Sequence, residues 1–193
     1  MAGGQSRRMG TDKAFVPLLG RPMIEHVLER VADLGQAETF IVTNMPDRYR
    51  IFGLLLYTDV IPGAGSLGGI YSALTYAQTP RALVIACDLP LASPALIRLL
   101  LACATDSDGP YDAVVPRFES TPQGLYALYA QSARDAIARF ITEKRYRIWE
   151  LLQEVRTRYV DEPEYAHIDQ DGRTFRNINT PEDLATVEQL LRR

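Results

Sequence analysis

Asp88 stands directly behind a continuous apolar run, Ala82 to Cys87, and is followed by Leu89-Pro90. Such a run, stopped by Asp and Pro, reads as a strand buried on both faces. A carboxylate held rigidly at its end suits a hard cation such as Mg²⁺. A lone strand-end Asp is more often the cap of the loop that follows it. The opening segment, Ala2-Gly3-Gly4-Gln5-Ser6-Arg7-Arg8-Met9-Gly10-Thr11-Asp12-Lys13, lifts Asp88 above that reading. Glycines at 3, 4 and 10 let backbone N–H groups wrap phosphate oxygens, and Arg8 and Lys13 can neutralise a triphosphate. The segment is not a P-loop, because Lys13 follows Asp12 and no Gly-Lys-Ser/Thr closes it. On these residues alone, a charged terminal tail is as good a reading as a phosphate loop.

A second glycine cluster, Gly63-Ala64-Gly65-Ser66-Leu67-Gly68, fits G-x-G-x-x-G, with Asp88 some twenty residues further on. A dinucleotide fingerprint needs its strand to run straight into the first glycine. Here Ile61-Pro62 intervenes, so a Rossmann oxidoreductase is the structural runner-up.

These residues need elements to hold them. Pro22 to Leu34 places Met23, Ile24, Val27, Leu28, Val31 and Leu34 on one helical face, and Gly35 closes it. Strands are expected at Thr39–Thr43, ending on Asn44, at Leu54–Thr58, ending on Asp59, and at Ala82–Cys87. Ser66–Gln78 reads as a helix, and Ser93-Pro94 opens another. Further on, Asp112–Pro116, Leu125–Tyr129 and Val155–Val160 read as strands and Ser132–Ile141 as a helix. Thr180, Pro181 and Asp183 announce a capped C-terminal helix with Leu184, Val187, Leu190 and Leu191 on its apolar stripe. Strands alternating with helices imply a single α/β domain with a mostly parallel sheet. In such sheets ligands bind beyond the carboxyl ends of the strands, where Asn44, Asp59 and Asp88 fall.

Composition bounds the partners. The 193 residues are 47% hydrophobic and 23% charged with a formal net charge of −3, ordinary for a globular chain and without the basic footprint of a nucleic-acid or membrane-surface protein. No apolar run approaches the ~18 residues of a membrane span. Arg7 and Arg8 lead into no apolar core, so no signal peptide is read. Cys87 and Cys103 form neither a metal spacing nor a disulfide framework. The expected setting is cytoplasmic.

The segment from Ala2 to Lys13 resembles the signature of the molybdenum cofactor guanylyltransferase family, within the nucleotidyltransferase-like α/β superfamily. Leu19-Gly20-Arg21-Pro22-Met23, Gly65-Ser66-Leu67-Gly68-Gly69, Ala86-Cys87-Asp88-Leu89-Pro90 and Asn177-Ile178-Asn179-Thr180-Pro181-Glu182-Asp183 resemble its later motifs, so the similarity spans nearly the whole chain. The first and last of these motifs are specific; the middle glycines are shared by cytidylyltransferase relatives. The resemblance implies a three-layer α/β/α, Rossmann-like nucleotidyltransferase fold and a reaction in which GTP and molybdopterin-bound molybdenum give the guanine dinucleotide form and pyrophosphate. It places Ala2, Gly3 and Gly4 in the GTP-binding loop and Lys13 on phosphate. Asn44 and Asp59 fall at nucleoside-contacting strand ends, Gly65 and Leu67 in a substrate loop, and Asp88 on Mg²⁺. Asn177 and Asn179 fall across the cleft near the metal or the pterin phosphate. It implies Mg²⁺ as cofactor, GTP and molybdopterin as substrates, and transient contact with cofactor chaperones or acceptor enzymes, with no nucleic acid and no membrane. A relative using CTP or another phosphate-bearing acceptor, and a non-catalytic nucleotide-binding protein, are the alternatives.

Two departures stand out. The family carries an apolar strand immediately before Ala-Gly-Gly, whereas only Met1 precedes Ala2 here. The expectation is a native start upstream, with about five to eight strand residues more. Thr121-Pro122-Gln123-Gly124-Leu125 also differs from the family's pattern. His26 and His167 are expected to be solvated, Cys87 to be a small buried residue, and Trp149 to pack its helix rather than stack on a base. Arg139, Lys144, Arg145 and Arg147 are expected to form a solvated face rather than a funnel for the pterin phosphate.

Overall fold

A computed structural model describes residues 1–2, 12–105 and 109–192. In chain order the elements begin with a two-residue hairpin, β1 (Pro17–Leu18) and β2 (Arg21–Pro22), which leads into α1 (Met23–Val31). Then come β3 (Phe40–Val42), α2 (Pro46–Tyr49), β4 (Leu55–Tyr57), α3 (Gly65–Tyr76), β5 (Arg81–Ile85) and α4 (Pro94–Cys103). The second half runs β6 (Ala113–Phe118), β7 (Thr121–Pro122), β8 (Tyr126–Ala130), α5 (Arg134–Thr142), α6 (Ile148–Glu154), β9 (Thr157–Val160), α7 (Glu162–Tyr165) and α8 (Pro181–Leu191).

Strand residues alternate between two cores, as a sheet covered on both faces requires. Ala113 and Val115 of β6, with Ala127 and Tyr129 of β8, face a core shared with α3, α5 and α6. Val114, Tyr126 and Leu128 face the opposite core, where α4 supplies Leu96, Ile97 and Leu100 and α1 supplies Val27. Helices therefore flank the sheet on both sides.

The sheet is mixed rather than mostly parallel. β3 pairs with β4 in parallel, as β6 does with β9, but β8 runs antiparallel to both β5 and β6. The cause is the connection. β6 turns back through Glu119 and Ser120, both at positive φ, and β8 begins at Tyr126. That link is shorter than the dozen or so residues a parallel crossover needs.

α1 stops at Val31, short of the expected Leu34, because the Gln36 side chain donates to the Val31 carbonyl at 2.8 Å and draws the chain out of the helix. α8 forms as its signals predict: the Thr180 hydroxyl accepts the Asp183 N–H at 3.2 Å, and Asp183 accepts the Thr180 N–H at 2.8 Å.

Met1 and Ala2 lie between β3 and β5. The Met1 amino group donates to the Ile85 carbonyl at 2.7 Å, and Cys87 N–H donates to the Met1 carbonyl at 3.0 Å. On the other side Ala2 N–H donates to the Val42 carbonyl at 3.0 Å. A residue pair bonded to both neighbours sets the gap at one strand's width. The gap continues along both strands as a cleft of about 500 Å³, lined by Met1, Leu28, Phe40, Val42, Ala82 and Val84 among others.

Candidate functional site

Cys87–Asp88 leave β5 at the carboxyl edge of the sheet, and two segments from the ends of the chain converge there. Lys13 opens a single 3₁₀ turn, Lys13–Phe15, capped by Asp12 through a 3.2 Å bond from Ala14 N–H to the Asp12 carboxylate. Its ammonium donates to Asp88 Oδ2 at 3.3 Å and to the Asn179 side-chain oxygen. Asn179 is held there by its own backbone. Ile178 N–H donates to the Asp88 carbonyl at 3.0 Å, and Asn179 N–H donates to Asp183 at 2.9 Å. The Asn179 N–H, followed by the Thr180 groups and the Lys13 charge, holds the Asp183 carboxyl below its ordinary value. Lys13 and Asp88 keep about a fifth of their side-chain surface exposed, open enough to meet a ligand.

The oxygens of Asp88 and Asn179 already satisfy one cation, the Lys13 ammonium. Both are hard donors of the kind Mg²⁺ takes. Among the described residues no group of three or more His, Cys, Asp or Glu side chains is arranged to hold a metal. One carboxylate completed by substrate phosphates is the usual Mg²⁺ arrangement in nucleotide enzymes, so the residues present fit that ion.

The other expected residues fall into four groups. Ala2 adjoins Met1 between the strands, and Asn44 and Asp59 leave the ends of β3 and β4 beside it. These two bond each other: Asn44 Nδ2 donates to Asp59 Oδ2 at 2.7 Å, and Asp59 N–H donates back at 3.2 Å. Gly65 starts α3 at φ +57°, a conformation a side chain disfavours. Leu67 does not present a side chain to ligand; it is fully buried in the core, so only its backbone is available. Asn177 is exposed, and no described contact brings its side chain to Lys13 or Asp88. Gly3, Gly4 and Arg8 lie outside the described residues.

Three side-chain expectations need correction. His26 is not solvated: its Nε2 lies 2.9 Å from the Leu18 carbonyl, because the β1–β2 hairpin folds back over α1. Trp149 does not pack its helix. α6 buries Leu151 and Leu152 with Ile148 beside them, and Trp149, one position off that stripe, is 49% exposed. Cys87 is only partly buried by surface, although its thiol is pushed up to about 12 by desolvation and the nearby Asp88 and Asp12 charges.

The basic cluster is an ion-paired surface. Arg139 and Arg145 meet Glu154 at 2.9 and 2.7 Å, and Arg145 and Arg147 meet Glu150 at 3.2 and 3.6 Å. The Rossmann alternative also fails on geometry. β4 ends at Tyr57, residues 58–64 precede α3, and β4 pairs with β3 rather than with β5, which carries Asp88.

Residues 1–160 match the model of the MobA-like NTP transferase domain. The chain belongs to that family. It is 34% identical over 184 residues to a probable molybdenum cofactor guanylyltransferase of Pelotomaculum thermopropionicum, covering 95% of this chain and 87% of that one. It is 33% identical over 193 residues to a molybdenum cofactor guanylyltransferase of Desulfosudis oleivorans, covering 100% and 94%. Among solved structures, the molybdopterin-guanine dinucleotide biosynthesis protein A of Archaeoglobus fulgidus superposes with a TM-score of 0.83 at 29% identity, covering 99% and 96%. A 2-C-methyl-D-erythritol 4-phosphate cytidylyltransferase of Thermus thermophilus superposes at 0.70 with 19% identity, which is a likeness of fold.

Sequence reading missed Asp12 and Tyr49 as parts of the site's support, and read Asp183 only as the cap of the C-terminal helix. Asp12 was visible only as the residue before Lys13, and Tyr49 sits in the polar run Asp47-Arg48-Tyr49-Arg50 with no periodic signal.

Proposed function

We propose that this chain transfers GMP from GTP to molybdopterin-bound molybdenum cofactor, releasing pyrophosphate and giving the guanine dinucleotide form. The observation that carries the reading is the meeting of Lys13, Asp88 and Asn179 at the carboxyl edge of β5, in a chain whose near-full-length relatives bear the guanylyltransferase name.

The chemistry needs no covalent intermediate. A terminal phosphate oxygen of the pterin attacks the α-phosphorus of GTP in line. The bond to the bridging oxygen breaks, and its electron pair leaves with pyrophosphate. Catalysis is then positioning and charge neutralisation. Lys13 offsets charge on the departing phosphates, with Arg8 as a second cation from the glycine loop. Ala2, Gly3 and Gly4 offer backbone to the nucleotide, and Asn44 and Asp59 receive the nucleoside. Asp88 and Asn179 would hold Mg²⁺, which would supply Lewis-acid chemistry there. Lys13 is paired with Asp88 while no triphosphate is bound and turns to phosphate when one arrives. Cys87, with its thiol at about 12, is no nucleophile at neutral pH.

The test is pyrophosphate release with GTP, Mg²⁺ and molybdopterin, run beside CTP and ATP. GTP is expected to be preferred and chelation of the metal to stop turnover. Lys13→Ala and Asp88→Ala are each expected to slow turnover at least ~100-fold, the scale of losing an electrostatic donor. Near-normal turnover in both variants would refute the assignment, and no pyrophosphate from the parent chain would favour a nucleotide-binding protein.

A further inference from the structure

We propose that Asp12 and Tyr49 are positioning residues. Their buried carboxylate–hydroxyl pair fixes the turn that presents Lys13 to Asp88 and ties that turn to α2, which follows the end of β3 that leads to Asn44. The inference deepens the proposed function, because it takes Lys13 as the phosphate-contacting cation.

The Asp12 side chain is 3% exposed, an unusual place for a carboxylate unless it is fully engaged. Capping the Lys13–Phe15 turn uses one oxygen, which accepts the Ala14 N–H. The other accepts the Tyr49 hydroxyl at 2.8 Å, from a side chain of α2 that is wholly buried. The Arg48 guanidinium lies 3.7 Å from the same carboxylate and 4.5 Å above the Phe15 ring. Phe15 in turn meets Tyr49 edge-on at a centroid distance of 4.9 Å. A cap needs only the first of these bonds. The rest join the turn to α2.

Tyr49 also reaches the other side of the site. The Thr43 side chain lies beside its hydroxyl. Thr43 is itself buried, immediately precedes Asn44, and accepts the Met45 N–H on its hydroxyl at 3.2 Å. The phenol that bonds the residue before Lys13 thus sits beside the residue before Asn44. Burial and the Asp12 charge push its ionisation up, so it remains a donor across the pH range of any assay. A single 3₁₀ turn has little rigidity of its own, and a lysine side chain is floppy. Holding the ammonium within reach of both Asp88 and Asn179 therefore requires an external anchor, and among the described residues this pair supplies a buried polar one beside the apolar contacts of Ala14.

Lysine occurs only at 13 and 144, and Lys144 is exposed, so the chain carries its own reference for competitive acylation. The ligand-free protein is treated with limiting acetylating reagent at pH 8, digested, and the Lys13-to-Lys144 labelling ratio read by mass spectrometry. Tyr49→Phe keeps the ring and removes the bond. It is expected to raise the ratio at least about 3-fold, the scale of one lost hydrogen bond, and Asp12→Asn is expected to do the same. An unchanged ratio in folded Tyr49→Phe overturns the proposal. In kinetics, Tyr49→Phe is expected to lower kcat about 10-fold with little change in KM for the nucleotide. In a Lys13→Ala background it is expected to cost less than about 2-fold more, since residues acting as a unit are not additive. Full additivity also overturns the proposal. The labelling needs no turnover, so a failed enzymatic reading and a failed anchor give different results.

Discussion

Lys13 answers to two oxygens at once, and the two come from distant parts of the chain: Asp88 from the end of β5 and Asn179 from the segment ahead of α8. In the proposed function, a lysine held between a carboxylate and an amide oxygen is a cation stored next to the place where phosphate charge is to be neutralised. It explains why Lys13 and Asp88 belong in one test and why losing either is expected to be severe. Cys87 marks the contrast. It sits one residue from Asp88, yet its thiol at about 12 leaves roughly one thiolate in ten thousand at pH 8. Ellman's reagent is therefore expected to find no fast-reacting thiol in the native protein and two after unfolding, the second being Cys103. A rapid native reaction at Cys87 would show that the thiol is activated. At this scale the sequence was informative where a residue type announces its chemistry, as Asp88 and Lys13 do after a strand and a glycine segment. It was silent where the role depends on a distant partner. Nothing local to Tyr49 points to Asp12, 37 residues away.

Elements show the same division. α8 was legible to within a residue because its cap, proline and acidic first turn are all local. The direction of β8 was not, because it depends on the length of the β6–β8 link rather than on strand composition. The cap of α8 also carries a pH signature. Asp183 has its folded-state pKa depressed, chiefly by the Asn179 N–H. Its stabilising contribution is fully present above the unfolded value near 4 and is lost as pH falls through the lower folded value. Asp183→Asn is therefore expected to be less stable than the parent at pH 7, with the difference shrinking below about pH 4. Thermal melts across that range measure it, and a difference that persists at pH 2 would contradict the assignment. The strand-wide gap between β3 and β5 yields another prediction. A version of the chain carrying about five to eight apolar, β-branched residues ahead of Met1 is expected to melt several degrees higher. Each added ladder bond contributes roughly 1 kcal/mol. An unchanged or lower melting temperature would show that the cleft does not accept a strand.

Across the whole molecule, the mixed sheet is clothed by helices on both faces, and the proposed chemistry is confined to one edge. Among the described residues no helix is long and apolar enough to cross a membrane. The formal charge of −3 gives no general attractive field for a triphosphate, so the proposed function requires that attraction to be local, with Lys13 as a cation placed at that edge. A second cleft of about 520 Å³, between the β6–β7 turn and α8, mixes Arg173 and Arg176 with Glu119, Glu162 and Asp171 and contains none of the site residues.

The pairing of Lys13 with Asn179 spans 166 positions of sequence, and synthesis proceeds from one end. While the chain is being made, every helix flanking the main sheet can emerge from the ribosome before Asn179 leaves the exit tunnel. A nascent polypeptide can thus own the two cores that cover the sheet and still lack half of the grip on its lysine, together with the smaller core that Ile178 and Val187 complete. A premature stop codon at position 177 would remove the second oxygen and that smaller core together, leaving the two sheet cores without the means to hold Lys13 in place.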